Sequence, residues 1–182
     1  VLAVVLAVGL GIGAGVVVGR SLPALDGTVT VAGLLTWDLG TGGQMRGTGT
    51  TYANGGMHIT GNGAGEFHSG RTVVNAGAAV FDGGTLRAYN GAVFRNLPGA
   101  TFEVRNDADV TVPLGSTLFD NQGAFLKSDG ADVADLRMTF SNSGTVAPSK
   151  PPVTAIHAPP GASDSAAPST RWLAHEQRLV WL

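Results

Sequence analysis

The residues best suited to chemistry in this 182-residue chain are carboxylates: Asp82, Glu103, Asp107, Asp109, Asp120, Asp129, Asp132 and Asp135. Asp107 and Asp109 are two apart, a spacing that puts both side chains on one face of a strand, close enough to bind Ca²⁺ or to share a proton. With Arg105 beside them they form the candidate catalytic set of a carbohydrate-active site, in which the arginine would hold a sugar acid. Arg87, Arg95 and Arg105 admit a plainer use, as an outer ladder of ion pairs, while the acids serve as solvated bend residues that keep sheet edges from pairing. The plainer use is the safer reading, and it assigns no catalytic residue.

Other chemistries find less. His58 and His68 are ten apart and lack a third ligand at metal spacing, so no metal site is expected. There are no cysteines, which removes disulfides and thiolate ligands. No Gly-x-Ser-x-Gly elbow occurs, nor any Gly-Gly-x-Gly-x-Asp calcium nonapeptide, and no cofactor is implied. The only lysines are Lys127 and Lys150, and the formal charge is −2, so no basic stripe is available for nucleic acid. Thr28, Thr30, Thr48, Thr50 and Thr85 do not recur at a fixed period, which argues against an ice-binding threonine array.

What must position these side chains is a repeat. One phrase recurs four times: Thr72-Val-Val-Asn75-Ala-Gly77, Val93-Phe-Arg-Asn96-Leu-Pro-Gly99, Leu118-Phe-Asp-Asn121-Gln-Gly123 and Thr139-Phe-Ser-Asn142-Ser-Gly144. The spacing of about 22 residues is one turn of a β-solenoid and too short for a separate domain. An all-β parallel β-helix of about five rungs is therefore predicted over residues 28–146, with three short strands per rung and equivalent positions stacked about 4.8 Å apart. Val73, Phe94, Phe119 and Phe140 should form one inward stack, and Val80, Phe102, Phe125 and Val146 a second. Asn75, Asn96, Asn121 and Asn142 should line up at a bend, where Asn tolerates left-handed backbone and its amide can bond the next rung. Trp37-Asp-Leu-Gly40-Thr41 is echoed by Phe81-Asp-Gly-Gly84-Thr85, which carries the array back to about Val29. The longer stretch from Asn106 to Pro113 reads as a projecting loop. With 28 glycines and 13% charged residues, the composition suits a turn-rich β protein.

The flanks differ from the repeat. Residues 1–20 open with an uncharged apolar run that reads as a secretion signal or membrane anchor, able to contact a bilayer. A buried structural strand or helix competes with that reading. A dinucleotide loop at Gly9-Leu-Gly11-Ile-Gly13 also competes, although no amphipathic helix follows it. Residues 21–27 read as a linker, 147–170 as a Pro/Ala/Ser-rich linker, and 171–182 as a short amphipathic tail.

The run Gly70-Arg-Thr-Val-Val-Asn75-Ala-Gly, continuing through Phe81-Asp-Gly-Gly-Thr85 and Asn90-Gly-Ala-Val-Phe94-Arg-Asn96, resembles repeats of bacterial surface and secreted proteins with a right-handed parallel β-helix. These are the adhesin-like and autotransporter-passenger-like chains. The resemblance covers residues 28–146 and implies an exported, extracellular or cell-surface scaffold, with surface glycans or host and cell-surface proteins as partners. Polysaccharide lyases and glycosidases share the parallel β-helix, so a carbohydrate-active enzyme is the alternative the resemblance leaves open.

Overall fold

The structure is a computed structural model that describes residues 16–18, 26–40, 42–130, 134–148 and 179–180. Val16–Val18 form β1. The chain then coils through five complete rungs of three strands. They are β2 (Thr28–Val31), β3 (Leu35–Asp38), β4 (Gln44–Met45); β5 (Thr50–Ala53), β6 (Met57–Thr60), β7 (Ala64–Phe67); β8 (Thr72–Asn75), β9 (Ala78–Phe81), β10 (Thr85–Tyr89); β11 (Val93–Asn96), β12 (Thr101–Val104), β13 (Val110–Leu114); and β14 (Leu118–Asn121), β15 (Ala124–Lys127), β16 (Asp135–Leu136). A sixth turn begins with β17 (Thr139–Asn142) and β18 (Thr145–Pro148), and β19 (Leu179–Val180) lies beyond. First, second and third strands of successive rungs build three separate sheets. We call them sheet A (β2 to β17), sheet B (β1 to β18) and sheet C (β4 to β19). Every pairing is parallel except β16 with β19, and no helix occurs among the described residues. The fold is a β-solenoid.

The register gives each rung its inside. On sheet A, Val73, Phe94, Phe119 and Phe140 are direct partners. Their rings stack, Phe94 on Phe119 with centroids 5.0 Å apart and Phe119 on Phe140 at 5.7 Å. On sheet B, Phe102 stacks on Phe125 at 5.5 Å and meets Phe94 edge-on at 5.0 Å, so the two columns interlock across the core. Each such aromatic pair contributes about 0.5–1.5 kcal/mol beyond the area it buries.

The second column differs from expectation at one place. Ala79, not Val80, is the partner of Phe102, while Val80 pairs with Glu103 and His58 on the outer face. Ala79 lies four positions after Asn75, as Phe125 lies four after Asn121, and a one-residue slip would turn every side chain over. The small side chain is accepted because Met57 and Phe102 flank it in the same column. In the rung between, Leu97-Pro98-Gly99-Ala100 supplies the extra residues as a tight turn: Ala100 N donates to Leu97 O at 3.0 Å and Gly99 has φ 81°. Proline followed by a residue with positive φ fits a type II turn.

The asparagine column also forms, for a reason other than backbone handedness. Among the described residues, the non-glycine positions with positive φ are Ser69 and Asn90, so the ladder asparagines are not left-handed. Asn75, Asn96 and Asn121 are buried at the corner between sheets A and B, where each of their amides spans two rungs, and exposed Asn142 closes the ladder as an acceptor. Asn75 Nδ2 donates to Asn96 Oδ1 at 2.8 Å and to Thr101 O at 3.0 Å; Asn96 repeats this on Asn121 and Ala124, and Asn121 on Asn142 and Thr145. The glycine that follows is needed for close approach: a Cβ at Gly77 would lie 2.7 Å from Gly56 N in the rung below. Buried amides satisfied in this way fix the vertical register.

At the flanks, β1 joins the edge of sheet B by pairing with Leu35–Trp37, so Val16–Val18 lie one strand beyond the first complete rung. Leu179–Val180, expected within an amphipathic tail, pair as a strand with Asp135–Leu136. The remainder of both terminal segments and most of the Pro-rich linker lie outside the described residues.

Candidate functional site

The two candidate carboxylates are each engaged by a different cation. Asp107 and Asp109 lie on no strand; they belong to the connection 105–109 between β12 and β13, so their even spacing does not make them neighbours on a sheet face. Each has its own cation. Lys127 Nζ donates to Asp107 Oδ1 at 3.0 Å, and Arg137 Nη2 lies 4.0 Å from Asp109 Oδ2. Asp109 Oδ1 accepts from the Asp135 amide at 3.0 Å. Arg105 turns back onto Glu103, Nη2 to Oε2 at 2.7 Å. The projecting stretch is shorter than the expected Asn106 to Pro113, because Val110–Leu114 form strand β13. Between Thr111 and Leu114 that strand carries one residue more than β10 does between Arg87 and Tyr89, and Pro113, which has no N–H to give the ladder, sits in the bulge.

Outer charges are arranged as pairs on all three sheets. On sheet A, Arg95 Nε donates to Asp120 Oδ2 at 2.8 Å, and Gln122 Nε2 reaches the same oxygen at 2.8 Å. On sheet C, Glu66 accepts from Gln44 Nε2 at 2.9 Å and from the Tyr89 hydroxyl at 3.4 Å, with Arg87 at 3.7 Å. On sheet B, His58 Nε2 lies 2.7 Å from Asp82 Oδ2, one rung above it, beside the Glu103–Arg105 pair of the next rung. The Arg105 guanidinium, then the Ser128 hydroxyl, hold the Glu103 carboxyl below its ordinary range, and Glu103 in turn raises Arg105. His68 packs edge-on against Tyr89 at 5.8 Å. Burial lowers its pKa, Arg46 lowers it further, and Glu66 opposes both.

The grouping of the His58–Asp82 and Glu103–Arg105 pairs on sheet B was hidden in the sequence, because His58, Asp82 and Glu103 are brought to one face only by the register of successive rungs. The signal was present in the rung period: His58, Val80 and Glu103 are successive partners in one outward column. The same bookkeeping exposes a threonine column. Thr28, Thr50 and Thr72 are in register on sheet A, so threonine does recur at the rung period. The adjacent outward column reads Thr30, Tyr52 and Val74, so no two-column threonine surface forms.

Two buried cations also escaped the sequence. Arg71 is 1% exposed and donates to the Thr51 hydroxyl, with Asp26 favouring its charge against the cost of burial. Lys127 is 6% exposed and takes the place that Phe81 and Val104 hold in the inward column of sheet B. Among the described residues, no group of three or more His, Asp or Glu side chains is placed to hold a metal ion, and no helix is long and apolar enough to cross a membrane.

No family model matches the chain, and comparisons with curated proteins and with solved structures likewise give no match.

Proposed function

We propose that the chain is a structural or adhesive scaffold, a β-solenoid segment of a surface-exposed or secreted bacterial protein that presents its outer sheet faces to surface glycans or to host and cell-surface proteins. The observation that supports this reading is the pairing of outward charge: Arg95 with Asp120, Arg105 with Glu103 and Arg87 with Glu66 each neutralise an acid locally. A carboxylate already held by a cation is not free to exchange a proton with a substrate. A rigid column with paired charges instead offers a long surface of fixed side-chain spacing, to which an extended polymer can bind through many weak contacts.

The test is incubation with acidic and neutral polysaccharides, with and without Ca²⁺, read both for retention on the immobilised glycan and for product. The scaffold reading expects retention with no new reducing ends or unsaturated sugars. Product formation that is abolished by Asp109→Asn would replace it with the carbohydrate-active alternative.

A further inference from the structure

A lysine in the inward column of a solenoid requires an explanation, because an ammonium taken out of water costs several kcal/mol unless its charge and all its hydrogens are satisfied. Lys127 has the oxygens it needs. Its Nζ lies 2.6 Å from Asn106 O and 3.0 Å from Asp107 Oδ1, and it also donates to Asp129 O. Three donors meet three acceptors, two neutral carbonyls and one carboxylate. These oxygens come from two successive rungs, Asn106 and Asp107 from the connection 105–109 and Asp129 from the turn directly after β15. Gly130 closes the turn with φ 96°, and a Cβ there would collide with both the Asp107 carboxylate and the ammonium. Beneath the ammonium the stem runs past Phe81, Phe102, Val104 and Phe125, along a small apolar cavity of about 30 Å³.

We infer that the corner formed by Asn106 O, Asp107 Oδ1 and Asp129 O is a binding site for a single small cation, and that the chain fills it with its own Lys127, a tethered ion that fixes the connection 105–109 to the rung above. Hard oxygen donors converging on one point from separate chain segments are what a free cation requires of a protein site. Here the ion is covalently supplied, so the corner holds its shape without dissolved metal. The inference stands apart from the adhesive reading, since it concerns how the connection is held and not what it touches.

Chemical rescue tests it. Lys127→Ala removes the atoms of an n-propylammonium ion and leaves the oxygens in place. The variant is expected to melt roughly 5–10 °C below the parent, and n-propylammonium should restore at least half of that loss while leaving the parent unmoved. 1-Propanol, and sodium chloride at equal ionic strength, should restore much less. A Lys127→Met variant as stable as the parent would overturn the site, as would equal effects of n-propylammonium and sodium. Should Lys127→Ala fail to fold, Asp107→Asn gives the reading: it must melt below the parent, with the difference shrinking in high salt, and an unchanged melting temperature would refute the inference.

Discussion

The first two rungs and the last three solve the same packing problem differently. In β2 to β7 the column that later holds asparagine is occupied by Val31 and Ala53, and the inward aromatics are Trp37 and Phe67, which meet edge-on across the core at 5.9 Å. From β8 onward the column is asparagine and the core is phenylalanine stacked on phenylalanine. Sheet A advances by 22 residues from Thr28 to Thr50 to Thr72, whereas the asparagine steps are 21, 25 and 21. Even spacing lets side-chain packing keep register without an amide ladder. Where rung length varies, a directional amide ladder holds the vertical alignment while the corners absorb the extra residues.

That contrast can be broken first at the aromatic stack. Phe119→Ala removes a ring that contacts Phe94, Phe102, Phe125 and Phe140, and should cost about 3–5 kcal/mol in urea unfolding. Asn96→Ala deletes the middle of the ladder, takes from Asn75 Nδ2 one of its three acceptors and leaves Asn121 Oδ1 without its donor, an expected loss of about 2–4 kcal/mol. Ile59→Val, in the aliphatic half, should cost only about 0.5–1.5 kcal/mol by the same measurement. An Asn96→Ala effect no larger than that of Ile59→Val would remove the distinction between the halves.

The fold was legible where the sequence repeats itself and obscure where it does not. Asn75, Asn96, Asn121 and Asn142 mark the period because each amide bonds the same side chain of the next rung, so the ladder requires one residue type at every step. The first two rungs carry no asparagine, and only the Trp37 and Phe81 echo reached them; those two residues are indeed joined through Ile59 in one column. Val80 is the bulkier of the two candidates for the second column, yet Ala79 stands four positions after Asn75 and takes the inward place. The outward cluster of His58, Asp82, Glu103 and Arg105, and the caged Lys127, depend on the registers of sheets B and C, which no repeated phrase announces.

Smaller effects separate the faces by pH and salt. The lowered proton affinity of His68 means that the unfolded chain binds protons more readily, so its contribution to stability falls as pH drops below about 6.5. His68→Asn should flatten the stability profile in that window. Glu103, held low by Arg105, contributes above the ordinary carboxylate range and loses its contribution as pH falls through it. Arg95→Ala should cost no more than about 0.2–1 kcal/mol, and that small loss should shrink further in high salt, since the guanidinium is exposed and its pair with Asp120 is screened.

The central claim is that outward positions such as Thr30, Tyr52, Val74, Arg95, Asp120 and Ser141 stand one above another in a single column. The chain has no cysteine, so spin labels can be placed at Thr30 and at each of Tyr52, Asp120 and Ser141 in turn, and the distances read by pulsed electron resonance. The account predicts separations growing by about 4.8 Å per rung to about 24 Å at Ser141. Separations that fail to grow with rung number would contradict it.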